Sequence, residues 1–101
     1  MNSFLRTGEF DSWPTGLNDN IGKARVVHRL RAAELGNFGD CEPVGDGISE
    51  MRIHLGPGYR VYFTRRGDVI YWLLLGEDKT TQNRDIKRAK QLLKSLDKET
   101  P

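Results

Sequence analysis

The chain lacks the residues on which several classes of function depend. Cys41 is its only cysteine, so an internal disulfide is impossible and a multi-cysteine zinc site is excluded. Asp40 and Glu42 flank that thiol and deny it the electropositive setting of a reactive cysteine, so it reads as a structural residue in a loop. No apolar run approaches the roughly 20 residues that span a bilayer, and the N-terminus has no signal-peptide pattern. A cytoplasmic location with no membrane partner is therefore expected. Neither the glycines between Gly36 and Gly47 nor Gly56 and Gly58 sit in a strand-loop-helix unit, so they mark turns rather than a phosphate-cradling loop. No metal and no small-molecule cofactor are implied.

What is present suits one domain, residues 1–101, with a single modest core. Hydrophobic residues make up 37% and charged residues 30%, an ordinary balance for a globular chain. The net charge of +2 hides an asymmetry: residues 1–47 hold 5 basic and 7 acidic groups, residues 48–90 hold 9 basic and 5 acidic. A basic region is the electrostatic footprint of a phosphate-bearing partner.

Residues 48–64 read as two strands joined by a Gly56-Pro57-Gly58 turn. In the first strand Glu50, Arg52 and His54 alternate with Met51, Ile53 and Leu55; in the second, Arg60, Tyr62 and Thr64 alternate with Val61 and Phe63. Side chains two apart share a face. Folding about Pro57 places His54 opposite Arg60, Arg52 opposite Tyr62 and Glu50 opposite Thr64, with Ile53 on Val61 and Met51 on Phe63. A one-residue slip would set charges against the core set on both strands, so the parity of the register is determined. One face feeds a core and the other gathers a carboxylate, an imidazole, two guanidiniums and a phenol.

Before the hairpin, residues 3–6 suit a short strand, and Thr7 caps a short helix in which Phe10 and Trp13 are neighbours. Pro14 should shorten or break that helix. A second helix is expected from about Asn18 to Glu34, with Asn18 or Asp19 as N-cap, Ile21, Ala24, Val27 and Leu30 as its apolar stripe, and Gly36 as its stop. Lys23, Arg25, Arg29 and Arg31 lie largely off the stripe, either as a solvated face or as a contact surface for RNA or a partner. Residues 36–47, rich in Gly, Asp and Pro, read as a connecting loop pinned by Phe38 and Val44.

After the hairpin, Val69 to Leu75 is an unbroken apolar run suited to a central strand buried on both faces. A last helix runs from about Gln82 to Leu96, with Ile86, Ala89, Leu93 and Leu96 on its inner side and Arg84, Lys87, Arg88, Lys90 and Lys94 on its outer side. The order β-α-α-β-β-β-α implies an α+β domain: a small twisted antiparallel or mixed sheet with helices packed on one face. The Glu50, Arg52, His54, Arg60 and Tyr62 set then occupies the other.

Several segments in this order resemble the RelE/HigB superfamily of toxins from bacterial toxin–antitoxin modules, in its phage-derived addiction module killer branch. They are Lys23-Ala24-Arg25, residues 35–40, residues 43–47, Ser49-Glu50-Met51-Arg52-Ile53, residues 56–63 and residues 74–82. One departure is Trp13-Pro14, where relatives commonly read Trp-Leu. The resemblance implies a RelE/ParE toxin-like fold and a type II toxin that cleaves mRNA in the ribosome and so inhibits translation. Its implied partners are the ribosome, mRNA and a cognate antitoxin, often a helix-turn-helix protein. By position, Arg60 corresponds to the phosphate-binding arginine, Lys79 to a basic or imidazole active-site group and Arg52 to a first-strand basic position. Glu50, His54, Tyr62 and Gln82 transfer less directly, with Tyr62, Gln82 and Arg84 as candidate RNA contacts.

Metal-independent RNA cleavage needs a proton acceptor for the attacking 2′-hydroxyl, charge stabilisation at phosphorus and a donor for the leaving oxygen. Arg60 and Lys79 suit the phosphate, Arg52 adds charge or supports Glu50, and His54 or Glu50 takes the proton. Glu50 and Arg52 equally suit a plain surface ion pair. Tyr62 suits either base stacking or simple cover for the sheet. Two rival readings stand beside the endoribonuclease: a ParE-like inhibitor of DNA gyrase that cleaves nothing, and a plain interaction or nucleic-acid-binding module. The basic hairpin face is the argument against the gyrase inhibitor.

Overall fold

In the computed structural model, residues 1–16, 19–54, 56 and 58–99 are described, the side chains of residues 14–16, 79 and 99 excepted. The elements are β1 (Ser3–Arg6), α1 (Gly8–Gly16), α2 (Asn20–Glu34), β2 (Cys41–Gly45), β3 (Ile48–Ile53), β4 (Tyr59–Arg66), β5 (Ile70–Asp78), a 3-10 turn (Lys79–Thr81) and α3 (Gln82–Glu99). The strands form one five-stranded sheet in the order β1-β5-β4-β3-β2. β1 runs parallel to β5 and every other pairing is antiparallel. The fold is α+β with a mixed sheet. β5 is an inner strand, but β4 takes the middle place, and the apolar run expected to be buried on both faces is buried only at Leu73, Leu74 and Leu75: Val69 is 47% and Ile70 41% exposed, and the strand continues to Asp78.

The β3–β4 register keeps the expected parity and shifts by two residues. Glu50 faces Tyr62, Arg52 faces Arg60, Met51 faces Val61 and Ile53 faces Tyr59. A two-residue shift returns every side chain to its own face, so alternation alone cannot choose between these registers. Tyr59 supplies the choice. It is 4% exposed in the core, and its hydroxyl donates to Asp19 Oδ2 at 2.8 Å. Leu55 and Pro57, assigned to the strand end and the turn, lie outside the described residues.

The expected loop over residues 36–47 contains an edge strand instead, β2, paired with β3 through Cys41↔Met51 and Glu42↔Glu50. Its proline is tolerated because an edge strand has one unpaired side, and the register slips between Pro43 and Gly45. Asp46 and Gly47 both have positive φ, 55° and 78°, as a tight I′-type hairpin turn requires.

Helices cover both faces of the sheet, not one. On the first face α1 and α2 place Phe10, Val26, Leu30 and Ala33 against Met51, Ile53, Tyr59, Val61, Phe63 and Leu73. On the second, α3 places Ala89, Ile86, Leu92, Leu93 and Leu96 against Ile48, Tyr62, Leu74 and Leu75. The outward residues of the hairpin are polar only over part of its length, and α3 buries the apolar remainder.

α2 is rotated from the expected stripe. Its buried residues are Gly22, Val26, Leu30 and Ala33, whereas Ile21 is 71% and Val27 47% exposed. Gly22 explains the rotation, since a Cβ there would lie 2.7 Å from Tyr59 Cε2; only a glycine face comes so near the sheet. Asp19 is the N-cap, accepting from Gly22 N at 2.9 Å, and Asn18 lies outside the described residues. Thr7 caps α1 by accepting from Phe10 N and donates to Leu74 O at 2.6 Å. α1 extends past Pro14 to Gly16 rather than breaking there. Trp13, anchored between Phe10 and Tyr59 with ring centroids 5.9 and 6.0 Å away, offsets the local bias of the proline.

Candidate functional site

Alternation along β2, β3 and β4 sends Glu42, Glu50, Arg52, Arg60 and Tyr62 to the α3 side of the sheet, where Asp40, just before β2, joins them through Arg52, and α3 covers only part of that row. Its first residue, Gln82, reaches the boundary. Gln82 Nε2 donates to both oxygens of Glu50, at 3.0 and 3.2 Å, and Arg60 Nε lies 3.5 Å from Glu50 Oε2. Glu50 is 2% exposed, so these partners satisfy a carboxylate that water does not reach. Arg60 retains 19% side-chain exposure and lines a small pocket with Arg52, His54 and Gly58.

Beside this cluster the chain buries more acid than the sequence suggested. Asp85, in the first turn of α3, is 3% exposed and accepts from Thr81 Oγ1 at 2.5 Å. Glu77 stands opposite Arg60 on β5, and burial, then the Asp85 and Asp78 charges, raise its pKa. Arg84 is 74% exposed and only 3.8 Å from Asp85 Oδ1. Lys79 opens the 3-10 turn that leads into α3, and its side chain lies outside the described residues.

Tyr62 is not available as a base-stacking platform. It is fully buried under α3, and its hydroxyl lacks a well-formed hydrogen bond. Burial, followed by the Glu50 and Asp85 charges, pushes its phenol pKa up.

The exposed end of the row is organised by two acids that the sequence reading left in a loop. Asp40 Oδ1 accepts from Arg52 Nη2 at 2.7 Å, its Oδ2 lies 2.6 Å from His54 Nε2, and Glu42 Oε2 accepts from Arg52 Nη1 at 2.8 Å. Arg52 first and His54 second hold the Asp40 carboxyl down to about 2. Arg29 from α2 fixes the same corner, donating to Arg52 O at 2.6 Å and Phe38 O at 3.0 Å. The face is therefore not basic on balance among the described residues. Asp40, Glu42 and Glu50 set three carboxylates against the guanidiniums of Arg52 and Arg60. One signal would have exposed the two missed acids: Asp46-Gly47 is a strong hairpin turn, and a hairpin there carries Asp40 and Glu42 onto the face of Arg52.

Chemically, the row offers a guanidinium in a pocket, an exposed imidazole and a buried carboxylate, the parts needed to hold an anion and move a proton beside it. Among the described residues no group of three His, Cys, Asp or Glu side chains has metal-binding geometry. Cys41 is half-buried, its thiol bonds Phe38 O at 3.3 Å, and burial raises its pKa, which leaves it unreactive. No helix among the described residues is long and apolar enough to cross a membrane.

No protein-family profile matches the chain, and no solved structure does. An uncharacterized protein of Haemophilus influenzae is 47% identical over 87 residues, covering 86% of this chain and 88% of that protein. That identity over nearly the whole length of both chains places this protein in one family with the Haemophilus protein.

Proposed function

We propose that the protein is the toxin of a type II toxin–antitoxin module, with a RelE/ParE toxin-like fold, acting as a metal-independent mRNA endoribonuclease on the ribosome. The observation that carries this reading is convergence. The segments of residues 49–53, 56–63 and 74–82 that resemble RelE/HigB toxins are distant in sequence, yet they meet at one end of the sheet, where Gln82 and Arg60 both hold Glu50.

In this reading Arg60, partly exposed in its pocket, holds the scissile phosphate together with Lys79. Glu50 is too deeply buried to meet a ribose hydroxyl, so it fixes the Arg60 guanidinium; the exposed His54 accepts the 2′-hydroxyl proton, and water supplies the proton that the leaving 5′-oxygen takes up. Electrostatic donors of this kind each contribute about 10²–10³-fold. Because the cations are already balanced by carboxylates, the isolated protein holds RNA weakly, and the ribosome supplies orientation worth several powers of ten. The partners of this reading are the ribosome, mRNA and a cognate antitoxin.

The test is induction of the chain without its antitoxin, with transcript 5′ ends mapped in translated and untranslated messages. Cleavage confined to translated messages, lost in Arg60→Ala, is the expected result. The paired cations also favour a second reading, a ParE-like gyrase inhibitor that binds without cleaving. Full growth arrest retained in both Arg60→Ala and Lys79→Ala would select that inhibitor instead.

A further inference from the structure

We propose that Asp40 and Glu42 form a built-in phosphate competitor: an anion-binding subsite made by Arg52 and His54 is closed by two carboxylates of the same chain, which a phosphodiester must displace. The inference rests on the anion-binding role given to this face above.

The geometry is that of an occupied anion site. The guanidinium of Arg52 spends one terminal nitrogen on Asp40 at 2.7 Å and the other on Glu42 at 2.8 Å, and Asp40 turns its second oxygen to His54 at 2.6 Å. A carboxylate bridging a guanidinium and an imidazole nitrogen in this way occupies the positions that two oxygens of one phosphate would take. Arg52 Nε is buried without an acceptor, so the clamp engages only the outward nitrogens, the ones a ligand reaches. The acids sit at the accessible edge: side-chain exposure is 40% for Asp40 and 57% for Glu42, against 3% for Glu50. Glu50 is thereby a permanent partner of Arg60, whereas the Asp40–Glu42 pair is placed to exchange with solvent anions. Glu42 lies on β2 and Asp40 just before it; β2 is the edge strand, with a register slip between Pro43 and Gly45, so the outer side of those acids has no neighbouring strand.

The clamp sets a threshold. An isolated RNA phosphate has to break two or three charge-assisted hydrogen bonds before making its own. A substrate held independently in place, or present at high local concentration, displaces the acids readily.

The experiment measures elution of the full chain from immobilised single-stranded oligouridylate on a salt gradient, together with anisotropy titrations of labelled oligouridylate across a salt series. Asp40→Asn and Glu42→Gln are compared with the parent and with Asp46→Asn. The last removes one negative charge beside Lys90, outside the clamp. Freeing a charged donor should tighten binding roughly tenfold in Asp40→Asn, and the salt slope should steepen by about 0.7 for each cation released. Glu42→Gln should show a smaller change in the same direction, and it decides the matter alone if Asp40→Asn does not fold. The proposal is overturned by no retention of any variant, by unchanged affinity, by tightening without a steeper slope, or by an equal gain in Asp46→Asn, which would reduce the effect to net charge. None of these outcomes depends on toxicity, so a failure here leaves the Arg60→Ala cleavage test untouched, and the converse holds.

Discussion

The two faces of the β3–β4 hairpin are built from alternate residues of the same segments, yet they do different work. Toward α1 and α2, Met51, Ile53, Tyr59, Val61 and Phe63 form an almost wholly apolar layer closed by Phe10, Val26 and Leu30. Toward α3 the row changes character along its length: Ile48 and Tyr62 lie beneath the helix, Glu50 sits at its first residue, and Arg52 and Arg60 lie beyond it. The first face stabilises the fold by excluding water. The second trades part of that burial for a line of charges whose exposure is graded by the point at which α3 begins.

The comparison breaks most readily at its apolar side. Phe10→Ala, which empties a 2%-exposed position in the α1 layer, should cost about 3–5 kcal/mol in urea unfolding. A loss below about 1 kcal/mol would mean that the α1 layer is not the structural face. Next in size is Gly76→Ala, where a Cβ would fall within the Trp13 ring; a destabilisation of about 1–3 kcal/mol is expected from displacing that indole. Smaller again is Tyr62→Phe. Removing a buried hydroxyl without a well-formed partner should change stability by less than about 1 kcal/mol. Retention on oligouridylate should stay at the parental value, and a clear drop would return Tyr62 to the RNA surface.

The finest test concerns the exposed end of the row. The Asp40 carboxyl lies near 2 in the folded chain, below its ordinary 3.8, because Arg52 and His54 favour its charged form. A group lowered on folding contributes stability that is fully present above pH 3.8 and is lost as the pH falls through about 2. The stabilities of parent and Asp40→Asn, followed by chemical denaturation, should therefore converge on acidification across that window. A constant gap down to pH 2 would show that the clamp does not form in solution.

Much of this was legible from particular residues. Strict alternation identified β3 and β4 and assigned each side chain to a face; the apolar run marked a strand at β5, though not the central one and not buried at its start; Ile86, Ala89 and Leu93 marked the inner stripe of α3. Thr7 and Asp19 start their helices and Gly36 stops α2 as local chemistry requires: Gly36 has φ +100°, a backbone state few other residues adopt readily. β2 was hidden because Pro43 and its glycines look like a loop, and an edge strand needs only one partner to form. The stripe of α2 was misplaced because Gly22 counts as a helix breaker in sequence, while in the fold its missing side chain is what lets the helix approach Tyr59.

For the site, the sequence by itself determined which groups share a face, because pleating alternates side chains regardless of what packs above them. Alternation alone set Glu50, Arg52, Arg60 and Tyr62 on one side of the hairpin. Only the tertiary structure decided which of those groups are exposed and which are paired. That α3 seals Tyr62 and holds Glu50 through Gln82, and that Glu42 from β2 and Asp40 just before it occupy Arg52 and His54, depends on where elements distant in the chain are laid against the hairpin. Charge is a property of residues, but its availability to a ligand depends on the neighbours that reach it first.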